Sequence, residues 1–431
     1  MKVAFAMKTV LAGLIILAIL VVGCTGPVGQ EMEGFPEASP TPTDSLSPTQ
    51  ETVQTAPVIT TLRIWLPPEF DPNNNTPAGN LLRDRLETYS NQRPDIQIET
   101  RVKASSGSGG LLDSLSSANS AAPSIIPDLV LLPRSSLEIA ALKGLLYPLD
   151  GFPGLLDDGD WYPFAQELGK IQNSIYGLPF AGDAMVSVYR PAVSDTPAEN
   201  WSSALEAGQS IAFPAAEENA HFPIAQYLST GAQVQDADGR PSLENTPLIN
   251  VLAFFQQAEA AGVMPSWLTQ FTHDQQSWDS YVDNRVDTTI TWINRYLNAL
   301  PGDSAAAPII TQDGTPYTLA TGWVWGLPNP QTSRHAISVD LADFLTDSEF
   351  LSQWSEAAGY LPPRSTALEG WSNIALRNLV ARISESAHLL PPNEIMAVVA
   401  PALNQATMEI LRNQSTPSRA ALAAIESLEN P

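Results

Sequence analysis

The chain has 431 residues, 44% of them hydrophobic, and carries 46 acidic side chains against 21 Lys and Arg, a formal net charge of −25 at pH 7. A surface this acidic repels nucleic acid and anionic lipid headgroups, which disfavours polyanions as partners. The chain has one cysteine, so stability must come from core packing and not from internal disulfides. Its length suffices for two domains with sizeable cores.

Residues 1–23 are predicted to be a lipoprotein signal peptide. Lys2 and Lys8 give a cationic start, and an almost unbroken apolar stretch follows over Thr9–Val22, as in exported chains. Val21-Val22-Gly23-Cys24 resembles a bacterial lipobox, so Cys24 is predicted to carry the lipid, whose two acyl chains suffice for stable anchoring. The apolar run is shorter than the roughly 20 residues of a membrane span, but an uncleaved anchor helix stays open as the alternative.

In either case the remainder is expected at the outer face of the cell membrane or in the periplasm, with a net charge of −27 once both lysines are removed. Residues 24–57 are rich in Pro, Ser and Thr and almost free of large apolar side chains. Such a composition cannot bury enough surface to offset the entropy of ordering, which predicts a disordered tether. The folded region is expected to begin near Val58.

From Val58 onward the hydrophobic spacing alternates between strand and helix periods. The order strand, helix, strand, helix, strand predicts an α/β fold with a mostly parallel sheet. The strands are predicted over Thr61–Leu66, Ile96–Val102 and Asp128–Leu132, with helices around Leu82–Tyr89 and Leu111–Leu115 between them.

The second half is predicted to be more helical. Thr246 and Pro247 are expected to be the N-cap and first residue of a helix that Gly262 ends. A strand is predicted over Asp287–Trp292, and further helical segments begin at Leu341.

The sequence contains no pattern that indicates catalysis. Its four histidines lie far apart, and no HExxH, P-loop, GxGxxG or GxSxG motif is present. The Ser105–Gly110 stretch lacks the lysine and spacing of a phosphate-binding loop. The prediction is therefore a protein that is not an enzyme, with no metal and no cofactor.

Aromatic residues concentrate at the ends of predicted segments, where ligands of α/β sheets bind. Aromatic faces suit the C–H faces of sugar rings, and neighbouring Asp or Asn side chains suit sugar hydroxyls. Core packing is the competing interpretation for each ring. These residues are Trp65, Trp161, Tyr162, Trp278, Trp292, Trp323, Trp325 and Tyr360.

Several segments together resemble the extracellular solute-binding lipoproteins of ABC importers, particularly the carbohydrate-binding group that includes maltodextrin-binding protein. The longest is Phe344–Thr346 through Trp354 to Ala358–Arg364. Shorter ones are Arg93–Ile96, Pro127–Val130, Gly144–Asp150 and Ile175–Pro179.

The resemblance implies a two-lobed periplasmic-binding-protein-like fold of type II, in which the chain crosses between lobes more than once. The first lobe would comprise residues 58–182 and 322–363. The second would comprise residues 183–321 and 364–431. The crossings near Gly182 and Gly322 would be hinge segments, where small residues can absorb backbone rotation.

The resemblance also implies ligand-binding positions. Asp183 aligns with a glutamate that binds sugar hydroxyls, and Trp292 follows a strand that ends in a stacking aromatic. Trp323 opens the hinge segment, Trp65 ends the first strand, and Phe222 lies where the family often has another aromatic. Asp183 is shorter than the family's glutamate, and Pro391–Met396 has no aromatic where maltodextrin binders have one, so no particular sugar is implied.

The function expected from this resemblance is capture of a mono- or oligosaccharide by a monomer and its delivery to ABC permease subunits. Three alternatives stay open: the same fold binding a polyamine or other cation, a non-transport sensor lipoprotein, and a secreted glycoside hydrolase.

Overall fold

A computed structural model describes residues 59–429. The predicted signal peptide, Cys24 and the predicted tether lie outside the described residues. Among the helices of the described range, none is both long and apolar enough to cross a membrane.

Eleven strands and fourteen α-helices make up the described chain. The strands are β1 (Thr60–Leu66), β2 (Ile96–Val102), β3 (Leu129–Pro133), β4 (Lys170–Ile171), β5 (Ser174–Ile175), β6 (Gly177–Tyr189), β7 (Ile211–Ala212), β8 (Thr288–Trp292), β9 (Ala305–Ala307), β10 (Thr318–Gly326) and β11 (Ala387–Leu389). The first helices are α1 (Pro77–Gln92), α2 (Leu111–Ala121), α3 (Arg134–Leu142), α4 (Pro163–Leu168), α5 (Trp201–Ala207), α6 (His221–Leu228) and α7 (Asn245–Ala260). The others are α8 (Asp274–Val282), α9 (Ile293–Ala299), α10 (His335–Leu345), α11 (Ser348–Ala358), α12 (Ile374–Glu385), α13 (Asn393–Leu411) and α14 (Pro417–Glu429).

The large sheet is mixed, not mostly parallel as predicted. Its order is β2-β1-β3-β10-β6-β8-β7, with β11 beside β10 and β9 beside β6. The first three strands are parallel, as the β-α-β-α-β pattern predicts. However, β10 lies antiparallel to both β3 and β6, and β6 lies antiparallel to β8. Local periodicity could not predict this pairing, because the two strands in the middle of the sheet come from distant parts of the chain.

Local sequence explains how β1 and α1 form. In β1, Leu62 and Ile64 are fully buried in the main core, whereas Trp65 packs with a second group of apolar side chains. This division follows from the alternation of side chains along a strand. Helix α1 begins after Thr76, whose side chain accepts a hydrogen bond from the Gly79 N–H, with Pro77 at the first helical position. Both features favour a helix start there.

The predicted start of α7 is wrong by two residues. The helix begins at Asn245 with Glu244 as N-cap, and no side chain caps it. Thr246 therefore lies inside the first turn. The predicted end holds, because Gly262 follows the helix with a φ of 75°, a conformation that glycine adopts without strain.

Two long strands, β6 and β10, join the two halves of the sheet, and we call them the crossing strands. Gly182 lies opposite Gly322 in their antiparallel ladder, and a bulge interrupts it after Trp323. A Cβ atom on Gly322 would lie 2.3 Å from the Ala181 carbonyl oxygen, and one on Gly182 would lie 2.8 Å from the Phe164 ring. The two glycines therefore permit a close approach that no other residue allows.

We expect Gly322→Ala to lower the free energy of unfolding by about 1–3 kcal/mol, since backbone must move to admit the methyl group. Gly151→Ala is the matched control, because a Cβ there meets no atom within 4 Å. It should leave stability unchanged or slightly raised. Urea denaturation followed by tryptophan fluorescence measures both, and equal stability of the two variants would contradict the close-packing account.

Candidate functional site

The crossing strands bring Asp183, Trp323 and Trp292 to one face of the sheet. Asp183 pairs with Thr321, and Trp323, two residues further along β10, pairs with Ala181. On the other side, Trp292 pairs with Met185, two residues after Asp183. Directly opposed residues share a face, as do residues two apart along a strand. Three of the five predicted ligand-binding residues thus occupy neighbouring positions.

A cavity of about 500 Å³ opens beside Asp183, and most of the side chains that line it are polar or charged. Its charged and amide side chains are Asp183, Asp274, Asn294, Arg295 and Asn298, and its indole rings are Trp278 and Trp292. We call it the Asp183 cavity. Asn294, Arg295 and Asn298 follow the carboxyl end of β8, the edge at which α/β sheets bind ligands.

Of the two acids of this cavity, Asp183 is the one that forms no ion pair with another described residue. Its Oδ1 accepts hydrogen bonds from the backbone N–H groups of Asn294 (3.1 Å) and Ala184 (3.0 Å). Burial nevertheless raises its pKa to about 7, with the charge of Asp274 adding to the shift and Arg295 opposing it. The carboxyl is therefore only partly ionised at neutral pH, and its ionised form can accept a hydrogen bond from a ligand.

The second acid of the cavity, Asp274, is held by Arg295. The Arg295 guanidinium donates from Nε to Asp274 Oδ2 at 2.5 Å and from Nη1 to Gln275 Oε1 at 2.6 Å. Thr291 donates its hydroxyl to the same Asp274 oxygen at 3.1 Å. Burial raises the pKa of Asp274, and the Arg295 charge counteracts this. This ion pair fixes the guanidinium at the cavity surface.

His221 supports the ring of Trp292. The two rings meet edge to face at 5.4 Å between centroids. His221 Nδ1 lies 2.8 Å from Glu217 Oε1, which fixes the orientation of the imidazole. The Trp292 ring, half-buried and at the cavity surface, is thereby held in position.

An aromatic cluster formed by Phe70, Trp323, Trp354 and Tyr360 adjoins Asp183. Phe70 meets Trp323 edge to face at 4.9 Å and stacks on Tyr360 at 5.4 Å. Burial raises the pKa of Tyr360, and the charges of Asp183 and Glu69 add to this, so the Tyr360 hydroxyl lies within electrostatic reach of Asp183. Trp323 and Tyr360 are only partly buried, which leaves aromatic surface for a ligand.

Two predicted binding residues, Trp65 and Phe222, lie in the core instead. Trp65 is 2% exposed on the opposite face of β1 from the main core, with the Lys103 ammonium 4.5 Å from its ring centroid. Phe222 is 1% exposed and packs on Phe213 at 4.8 Å. Neither ring presents surface to a ligand in this structure. Side-chain alternation explains Trp65. Phe222 begins a run of six consecutive buried residues in α6, whereas the preceding His221 is only partly buried.

Most of the other aromatic residues singled out in the sequence also turn out to be core residues. The exposed fraction is below 9% for each of Trp161, Tyr162, Trp278 and Trp325, and of these four only Trp278 lines the Asp183 cavity. Sequence reasoning missed Asn294, Arg295 and Asn298, although their position directly after a strand ending in tryptophan was a usable signal.

A second cavity of about 500 Å³ is lined by different residues, among them Pro197, Pro308, Pro316, Arg382 and Glu385. It has no aromatic ring in its lining, so it lacks the stacking surface of the Asp183 cavity. Within residues 59–429, no group of three or more His, Cys, Asp or Glu could hold a metal ion.

The chain is similar to several proteins whose names describe them as sugar-binding. A maltotriose-binding protein from Pyrococcus abyssi (strain GE5 / Orsay) is 23% identical over 365 residues, which cover 79% of this chain and 73% of that protein. The cyclic alpha-maltosyl-1,6-maltose binding protein from Arthrobacter globiformis superposes with a TM-score of 0.71 at 15% identity, over 86% of this chain and 98% of the other. The sugar-binding protein MalE from Xanthomonas citri also gives 0.71, at 16% identity over 86% and 98%.

The structural likenesses confirm the predicted two-lobed α/β fold of periplasmic binding proteins. The family described as bacterial extracellular solute-binding protein matches residues 86–376. Because this match extends over more than half of the sequence, the chain belongs to the bacterial extracellular solute-binding proteins.

Proposed function

We propose that this protein captures a mono- or oligosaccharide between its two lobes and delivers it to the permease of an ABC importer. One observation carries the proposal: Trp292 and the polar groups around Asp183 line one cavity of about 500 Å³. Indole faces pack against the C–H faces of a sugar ring, while carboxylate and amide groups hydrogen-bond its hydroxyls. Binding at micromolar concentration requires about 8 kcal/mol, which stacking and several hydrogen bonds can supply.

The relatives support a sugar as the solute. The names of the proteins from Pyrococcus abyssi and Arthrobacter globiformis state that they bind maltotriose and cyclic alpha-maltosyl-1,6-maltose. Their identities to this chain of 23% and 15% are low, so the proposal extends to the carbohydrate class and not to one sugar. The proposed ligand contacts are Asp183 and Trp292 in the cavity and Trp323 in the aromatic cluster.

Closure of the two lobes would follow from a population shift. In the proposed division, residues 58–182 and 322–363 form one lobe and residues 183–321 and 364–431 form the other. The Gly182–Gly322 pair of the crossing strands would be the hinge. A ligand that contacts both lobes stabilises the closed arrangement by its differential affinity. No covalent step is needed, so the protein would act as a monomeric binding protein without cofactor and not as an enzyme.

A panel of sugars tests this proposal by thermal shift on the full-length Cys24→Ser protein. At least one mono- or oligosaccharide should raise the melting temperature, since a ligand that binds only the folded state stabilises it. A polyamine that raises it instead, in a salt-sensitive way, would favour the cationic alternative. Release of shorter sugars would show a hydrolase. An unshifted melting temperature with every sugar would contradict carbohydrate capture.

Trp292→Ala should raise the Kd of the sugar found in that panel by about 10- to 100-fold, because a stacked ring is worth roughly 1.5–3 kcal/mol when buried. Trp267→Ala is the control, since Trp267 is also partly buried but packs on Phe271, outside the Asp183 cavity. Isothermal titration calorimetry measures both. Equal affinities of the two variants would remove Trp292 from the binding site.

Affinity should also depend on pH through Asp183. Its pKa is about 7 in the free protein, and hydrogen bonds donated by sugar hydroxyls favour the ionised form. Binding would therefore lower this pKa and release protons, so the Kd should fall as pH rises from 6 to 8 and level off above that. Asp183→Asn should remove the pH dependence, whereas Asp195→Asn, on the surface, should keep it. A Kd of the parent protein that is constant between pH 6 and 8 would contradict this linkage.

Anchoring at Cys24 completes the proposal: the lipid would hold the binding domain at the outer membrane face, close to the permease. Cys24→Ser should abolish incorporation of an alkyne fatty acid and move the protein from the membrane to the soluble fraction. Ser47→Ala, within the predicted tether, should change neither. Retention of Cys24→Ser in the membrane would instead indicate an uncleaved anchor helix.

A further inference from the structure

Helix α11 ends at a tight corner that faces helix α9 from the other half of the molecule. Gly359 follows the helix in the left-handed conformation with a φ of 69°. The next residues return to the crossing strands, because Leu361 exchanges two backbone hydrogen bonds of 2.8 Å with Gly182. We call Ala358, Gly359 and Tyr360 the Gly359 corner. It carries Tyr360 of the aromatic cluster.

Two asparagines of α9 hold this corner by their side-chain amides. Asn294 donates from Nδ2 to the carbonyl oxygens of Gly359 (3.1 Å) and Ala358 (3.3 Å). Asn298, one helical turn later, donates from Nδ2 to the same Ala358 oxygen at 3.1 Å. The last carbonyl groups of an α-helix have no partner within the helix, and the two amides supply one.

The Asn298 amide lies so close to the Gly359 corner that it restricts which residue can occupy position 359. A Cβ atom on Gly359 would lie 2.6 Å from Asn298 Nδ2, so a side chain there would displace the amide. Glycine is thus favoured at this position twice, by its backbone conformation and by the contact. Asn294, the other asparagine that bonds the corner, also contacts the Asp183 carboxyl, because its backbone N–H donates to Asp183 Oδ1 at 3.1 Å.

We propose that Asn294 and Asn298 are positioning residues that bias the spacing between the Asp183 cavity and the aromatic cluster toward the binding-competent arrangement before a ligand arrives. Asn294 bonds Asp183 through its backbone and the Gly359 corner through its side chain. Helix α9 therefore links the polar half of the site to the Gly359 corner by hydrogen bonds. The inference rests on the proposed function for its effect on affinity, but not for its effect on geometry.

The physical consequence is preorganisation. If the two halves are held at a binding-competent spacing, a ligand need not supply the free energy to order them. When the amide bonds are removed, the competent arrangement is less populated and the apparent Kd rises by the inverse of its population. Loss of one or two neutral hydrogen bonds corresponds to about a three- to tenfold change in Kd.

The experiment measures spacing directly by double electron–electron resonance in the full-length Cys24→Ser protein. Spin labels are attached at Glu87→Cys in α1 and Gln257→Cys in α7, both exposed positions in different halves of the molecule. Asn298→Ala removes the donor, and Asn298→Asp keeps the size but replaces the amide by a carboxylate. Asn294→Ala keeps the backbone N–H on Asp183. Asn91→Asp, exposed near the end of α1, is the matched control.

Without any ligand, we expect a broader or longer distance distribution in the three α9 variants. Asn298→Asp should show the largest change, because its carboxylate repels the Ala358 carbonyl. Asn91→Asp should reproduce the parent distribution. With the sugar identified by thermal shift, Asn298→Ala should raise the Kd three- to tenfold.

Distributions that coincide with the parent in all three α9 variants would overturn the inference. This holds even if melting temperatures fall or Kd rises, since those changes would then reflect a merely structural role or direct ligand contact. If no sugar binds the parent protein, the proposed function fails, whereas the distances without ligand still decide whether the asparagines set the spacing.

Discussion

The close contact between the crossing strands is the constraint on which the site depends. At Gly182 and Gly322 the backbones and the Phe164 ring leave no room for a Cβ atom. This contact sets the register of β6 against β10, and the register decides which side chains share a face. A slip of β10 by one residue against β6 would turn Trp323 to the other face and separate it from Asp183 and Trp292.

The site also combines two kinds of surface that protein interiors keep apart. Aromatic rings pack against one another around Phe70. Beside them lies Asp183, a partly buried acid that forms no ion pair with any of residues 59–429. Burial raises the pKa of Asp183 to about 7, so this carboxyl is less stable here, in its ionised form, than it would be in water. Such a cost is expected at a site that is completed by its ligand.

The alternation of strands and helices was readable from Thr60 to Pro133, because each element there pairs with a neighbour along the chain. The predicted mostly parallel sheet was wrong, since β10 comes from almost two hundred residues beyond β3 and lies antiparallel to it. Trp65 and Trp292 both lie near the end of a strand, so their positions in the sequence did not show that Trp65 is buried while Trp292 lines the cavity. Only the face of the strand does so, and it depends on what packs on each side.

The sequence by itself determined the acidic surface, the hydrophobic periods of most elements, and the family, because these depend on local composition and on motif order. It also predicted the strand that ends at Trp292. The tertiary structure decided that Phe222 is buried while His221 meets Trp292, and that Asn294 bridges Asp183 and the Gly359 corner. These contacts join residues that are far apart in the chain, so they exist only once the crossing strands have fixed the register of the sheet.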